Sequence, residues 1–145
     1  MSASLPPLLA LAAGGRVRPR KATVPRPKEI ALHMSVADLL RRFARPDWRW
    51  SHFPSGELRD IKTASKLRAM GLARGWPDFV LIDPSGRLHA LELKRLGETL
   101  SDDQEAFQEW AIARGVPHSV ARTSDEALTV LDAWGALRIR IGKPA

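Results

Sequence analysis

Residues Gly75 to Arg95 read Gly-Trp-Pro-Asp-Phe-Val-Leu-Ile-Asp-Pro-Ser-Gly-Arg-Leu-His-Ala-Leu-Glu-Leu-Lys-Arg, and no other stretch restricts the fold as tightly. Two apolar runs, Phe79 to Ile82 and Leu88 to Leu93, flank the turn-forming Asp83-Pro84-Ser85-Gly86. That pattern predicts a β-hairpin at a central position of a sheet. A charge buried in such a strand is costly unless it is paired or its pKa shifts. Yet Asp78 opens the first strand, and Glu92 and Lys94 lie within the second. Side chains alternate along a strand, so Glu92 and Lys94 share one face while Leu91 and Leu93 take the other. Two carboxylates and a lysine therefore converge beside an apolar wall, an arrangement that suits a magnesium ion retaining several of its waters.

The hairpin carries a register requirement. A five-residue loop from Asp83 to Arg87, pairing Ile82 with Leu88, sets Asp78 opposite Glu92 on the same face. A four-residue loop pairs Asp78 with Leu91 instead and needs a bulge or local twist to re-aim the acid. Pro77 fits the first position of a strand, where a missing N–H does little harm.

At 145 residues the chain suffices for one domain with a real core. With no cysteine, disulfides and thiolate zinc sites are excluded, and a reducing cytoplasm is the expected location. His33, His52, His89 and His118 show no metal-ligand spacing. The formal charge of +7 is unevenly spread: residues 1 to 28 hold six Lys/Arg and no acid, while the remainder holds seventeen basic and sixteen acidic side chains, a net of +1. A neutral folded part with a basic tail suggests a polyanionic partner such as nucleic acid, although solvated tails share this composition. The opening Leu5-Pro-Pro-Leu-Leu-Ala-Leu-Ala-Ala lacks a basic n-region and is too short to span a bilayer, so it reads as a leader without structure, and no membrane association is expected.

Residues 1 to 27, with five of the eleven prolines, are expected to be a disordered tail. From Lys28 a helix is predicted, with Leu32, Val36, Leu39 and Phe43 on its inner face and Pro46 as its stop. Glu29 begins that stripe. It serves either the helix dipole or a metal site, and both roles are open. Trp48, Trp50 and Phe53 alternate in an extended run, which predicts a half-buried strand. A second helix is expected from about Glu57 to Met70, with Gly71 after it, Ile61, Ala64 and Leu67 inward, and Arg59, Lys62 and Lys66 forming a basic face. Such a face is either solvated or holds phosphates that nearby acids would repel.

Ser101-Asp-Asp-Gln104 has the spacing of a capping box at the start of a third helix. That role competes with one for Gln104 at the acidic site, and one rotamer is not expected to fill both. Trp110 is expected in the core. A strand follows over Gly115 to Ala121, then a helix from about Asp125 to Trp134 with Thr123 and Glu126 as a further capping box. Residues 137 to 145 form an edge strand or tail, Leu137, Ile139 and Ile141 alternating with arginines. Strands and helices interleave, so the class is α/β with a domain over 28 to 136.

Asp78 and Glu92 are the candidate metal ligands, with the Leu93 carbonyl as a further oxygen. A metal there polarises a phosphodiester and acidifies a bound water. Lys94 orients that water or stabilises charge developing on phosphate oxygens. A plain Glu92–Lys94 ion pair is the structural alternative.

The set Gly75-x-Pro77-Asp78, Glu92-x-Lys94-Arg95 and Ser101-x-x-Gln104 resembles the VRR-NUC branch of the PD-(D/E)xK nucleases. His52-x-Pro54-x-Gly56-x-x-Arg59 and Met70-Gly71 also match patterns of its phage and bacterial members, and the likeness spans roughly Lys28 to Trp134. The resemblance implies a restriction-endonuclease-like core: a mixed central sheet flanked by helices. It further implies Mg²⁺ or Mn²⁺ dependence and cleavage of DNA, often at junctions or flaps, by a homodimer. By position it makes Asp78 and Glu92 metal ligands, Lys94 the catalytic lysine, Gln104 an assisting residue and Glu29 the acid of the first helix, with Glu57 a competitor for that last role. Arg59, Lys62 and Lys66, together with Arg74 and Arg95, are candidate DNA contacts. Two other readings stand beside it. One is a catalytically silent DNA-binding module on the same fold. The other leaves DNA binding to the basic tail alone.

Overall fold

The computed structural model describes residues 27–54 and 60–139. The expected tail before Pro27, the Glu57 to Arg59 segment and the chain after Ile139 lie outside those residues. In order the elements are α1 (Pro27–Phe43), β1 (Arg49–His52), α2 (Ile61–Ala69), β2 (Phe79–Ile82), β3 (Leu88–Leu93), α3 (Asp102–Ala113), β4 (His118–Ala121) and α4 (Ser124–Ala133). The strands form one mixed sheet in the order β1-β2-β3-β4, with β1–β2 and β2–β3 antiparallel and β3–β4 parallel. None of these helices is long and apolar enough to cross a membrane.

The sheet is organised by its central hairpin. Ile82 pairs with Leu88, the five-residue-loop register. Asp83 enforces it: its Oδ1 accepts from the N–H groups of Ser85 and Arg87, and its own N–H donates to the Arg87 carbonyl. Gly86 takes φ +86°, a conformation that glycine adopts without steric cost. One face of β2 and β3 turns Phe79, Leu81, Leu91 and Leu93 into the core, where they meet Val36 and Leu40 of α1 and Ala127 and Leu131 of α4. Burying each large side chain here contributes about 1.5–3 kcal/mol. The inward stripe of α1 thus centres on Val36 and Leu40, while Leu32, Leu39 and Phe43 pack half-buried beside it.

Three expectations are corrected. The second helix begins at Ile61, because Asp60 caps it by accepting from the Thr63 N–H at 2.7 Å. Its supposed inner face has no buried residue, and Ile61 is 77% exposed. Trp110 is not core: it is 49% exposed on α3, its ring tilted against Phe107 with the Arg114 guanidinium over it. Of the segment 137 to 145, Leu137 forms a bridge with Ala44, and the rest of the expected edge strand or tail beyond Ile139 lies outside the described residues.

Candidate active site

Extending the Phe79–Leu91 pairing by one residue sets Asp78 level with Glu92. Asp78 and Glu92 are 9% and 2% exposed, so two largely buried acids occupy the end of the hairpin. Asp78 is held from three sides. Its Oδ2 accepts the Leu93 N–H at 2.7 Å, and its backbone carbonyl accepts from the Phe53 N–H at 2.7 Å and from His52 Nδ1 at 2.9 Å. Its Oδ1 lies 3.8 Å from Nε2 of His33 on α1.

Glu92 is held from α3. Its Oε1 accepts from Gln104 Nε2 at 2.7 Å. The Oε1 of that same amide accepts the Ser101 N–H at 2.9 Å, and Ser101 Oγ accepts the Gln104 N–H, completing the capping box. One rotamer of Gln104 therefore fills both roles. The expectation that they exclude each other overlooked that a primary amide accepts at one end and donates at the other.

Burial, and after it the Asp78 charge, push the Glu92 carboxyl up to about 9; nearby Lys94 opposes this only in part. Among the described residues Lys94 and Glu92 form no ion pair within 4.0 Å, although the lysine charge still acts on that carboxyl.

The acids open into a cleft of about 1030 Å³. Asp78, Glu92, Leu93, Lys94, Gln104 and Glu29 all line it, so the structure brings the six candidates for catalysis and metal binding together. The candidate DNA contacts are another matter. Lys62 and Lys66 project from exposed α2, Arg74 is exposed in the following loop, and none of them lines the cleft. Arg95 pairs with Glu98 at 3.4 Å, and Arg59 lies outside the described residues.

The titratable cleft residues to which sequence reasoning gave no role include His33, Asp38 and Arg41. His33 follows Glu29 by four residues, a spacing that puts both on one helix face and was present in the sequence; Arg41, twelve residues on, is turned about 120° from Glu29 and carried no such signal. His52 was named only as part of a motif resemblance; its place beside Asp78 comes from the sheet, where β1 lies next to β2.

The donor set fits a hard divalent ion. Two adjoining buried carboxylates need a cation or a proton between them, and the raised Glu92 pKa expresses that need. Among the described residues no three His, Asp or Glu side chains gather at metal-ligand spacing, so the pair suits an ion that keeps several waters.

Fold and cleft together define an α/β domain with a mixed four-stranded sheet, its paired acids at the end of the central hairpin. More narrowly, the fold is that of a VRR_NUC domain: a solved structure so described matches with a TM-score of 0.52 and 15% identity, over 74% of this chain and 97% of its own. A second structure, "Crystal structure of paFAN1 bound to 1nt 5'flap DNA with gap", matches 41% of this chain and 13% of that one, at 28% identity and a TM-score of 0.32. Neither family sequence models nor curated protein sequences match the chain.

Proposed function

We propose that this protein is a divalent-metal-dependent DNA endonuclease that hydrolyses phosphodiester bonds. The carrying observation is the pair of buried, adjoining carboxylates Asp78 and Glu92, set in an open cleft with Lys94 and tethered by Gln104. The VRR_NUC fold and the motif resemblance support the same reading.

Asp78 and Glu92 would hold the ion, with the Leu93 carbonyl and, from the cleft rim, Glu29 as further oxygens. Bound Mg²⁺ or Mn²⁺ supplies Lewis acidity and an acidified water. Gln104 fixes Glu92 in one orientation, so the carboxylate needs no rearrangement when the ion arrives. The Lys94 ammonium, at the cleft, would stabilise the charge that develops on the phosphate oxygens as water adds to phosphorus and the P–O bond to the leaving oxygen breaks. Arg41, Lys62, Lys66, Arg74 and Arg95 would hold backbone phosphates around the cut. The motif resemblance supports branched substrates (junctions or flaps) and a homodimer, for which sedimentation velocity is the direct check.

The test is cleavage of labelled four-way-junction, flap, single-stranded and linear duplex DNA with Mg²⁺, Mn²⁺ or EDTA. Metal-dependent cutting is expected, with Lys94→Ala lowering the rate about 10²–10³-fold. Its effect on DNA affinity is expected to be small, because the lysine acts on charge that develops only in the transition state. Binding without cutting on every substrate, unchanged in Lys94→Ala, would instead establish the silent DNA-binding module.

A further inference from the structure

Two of the five tryptophans are exposed, and both lie on one strip of surface. Trp48 is buried, and Trp50 and Trp134 pack half-buried against the core. Trp76, by contrast, is 37% exposed and Trp110 49%. Indoles in water carry a large apolar area that a protein ordinarily covers, so a pair of them together marks a surface that binds something.

The strip is a continuous run of rings. Phe53 stacks on Trp76 at 5.3 Å and 25°, Trp76 meets Phe107 at 5.2 Å, and Phe107 meets Trp110 at 5.9 Å. It ends on the Arg114 guanidinium, 4.7 Å from the centre of the Trp110 ring. Arg114 is exposed and forms no ion pair among the described residues, and exposed Arg74 lies two residues before Trp76. At about 100° per residue, Phe107, Trp110 and Arg114 share one side of α3 while Glu105 and Glu109 point away from it. Asp103, two turns from Trp110, is the one α3 acid on that side. The run also begins at the edge of the cleft. The Phe53 N–H donates to the Asp78 carbonyl, Trp76 precedes Asp78 by two residues, and Phe107 lies one turn beyond Gln104, which holds Glu92.

We propose that Trp76 and Trp110, backed by Phe107 and flanked by Arg114, form a platform on which the bases of an unpaired single strand stack as it leaves the acidic cleft. This rests on the reading of that cleft as a site for nucleic acid. Every base has a π-face, so exposed rings hold a single strand whatever its sequence, and an arginine beside them adds attraction to the backbone. In an intact duplex the base faces are covered by their neighbours, so the platform serves the unpaired strand and not the duplex. Charge favours this occupant over a second copy of the chain. A polyanion complements Arg74 and Arg114, whereas a second copy would bring further arginines to the same strip.

The test uses the full chain in EDTA, with a fluorescein-labelled oligothymidylate and an abasic oligomer of the same length and charge. Wild type is expected to prefer the oligothymidylate, and its tryptophan fluorescence to be quenched on binding it. Trp110→Ala should bind the oligothymidylate roughly 5- to 100-fold more weakly, bind the abasic oligomer as wild type does, and lose much of the quenching. Trp110→Phe keeps a ring and should recover most of the affinity. Because Trp110 is half exposed, both variants should fold, and thermal melting checks that they do. Equal affinity of wild type for the two oligomers, or unchanged oligothymidylate affinity in Trp110→Ala, overturns the proposal. So does sedimentation showing that Trp110→Ala turns a dimer into a monomer while oligothymidylate binding persists. Neither metal nor cutting enters this measurement, so its outcome is separable from that of the nuclease reading. Base-dependent binding by a protein that cuts nothing keeps the platform and removes the endonuclease. Metal-dependent cutting by a protein indifferent to bases keeps the endonuclease and removes the platform.

Discussion

Gln104 Nε2 donates to Glu92 Oε1 at 2.7 Å while the oxygen of the same amide accepts the Ser101 N–H, so the start of α3 and the orientation of the buried acid are fixed by one side chain. The stability of a helix end and the readiness of the site are thereby joined.

Substitution at Gln104 separates the two. Gln104→Ala removes the cap's return contact and leaves Glu92 without its donor, which should cost about 1–2 kcal/mol in urea denaturation. Gln104→Glu can still accept from Ser101 but sets a third carboxylate against Glu92. It should retain most of the helix stability yet cut more slowly than wild type. Equal cutting rates for Gln104→Glu and wild type would show that the Glu92 contact has no part in the reaction.

Glu92 should make the protein less stable as pH rises. Its pKa goes from 4.5 to about 9 on folding, so the folded state favours the protonated acid. The associated stability is present below about pH 4.5 and is lost as pH climbs toward about 9. In EDTA at pH 8, Glu92→Gln should therefore melt higher than wild type, by several degrees if the gain is about 1 kcal/mol. The gap should shrink toward pH 4.5. Added Mn²⁺ should raise the melting temperature of wild type and leave the variant nearly unmoved.

His89 runs the opposite way. It is 5% exposed between Trp48 and Trp134, with ring centroids 4.8 and 5.1 Å away, and burial holds its pKa below the usual 6.5. His118 is lowered by burial too. For both, stability is complete above pH 6.5 and falls as pH drops through the lowered values. NMR titration should find these two rings neutral at a pH where an exposed histidine is half charged. Midpoints at or above 6.5 would contradict the burial argument.

Gly75 positions Asp78 from three residues upstream. Its φ is +83°, and a Cβ there would run into the Asp103 backbone carbonyl in the first turn of α3. Gly75→Ala should cost at least about 1–2 kcal/mol from the left-handed backbone alone. Because the clash pushes the Pro77–Asp78 segment away from α3, metal affinity should fall as well, measured by Mn²⁺ titration. Wild-type metal affinity in a destabilised Gly75→Ala would confine the glycine to a folding role.

The sequence by itself determined the hairpin and its chemistry, because those depend on neighbours along the chain. Alternation assigned Glu92 and Lys94 to one face and Leu91 and Leu93 to the other, and Asp83 closes the five-residue loop through its own local hydrogen bonds. Helix periodicity likewise made Glu29 a candidate for the cleft.

What only the tertiary structure decided was which surfaces are covered and which distant groups meet. Ile61 and Trp110 carry sound helical spacing, yet they stay exposed, since periodicity names a face without supplying anything to cover it. His33 and Asp78 stand forty-five positions apart and share a cleft only because α1 packs across the end of the hairpin. Contacts of that kind are set by the packing of whole elements, and no local pattern records them.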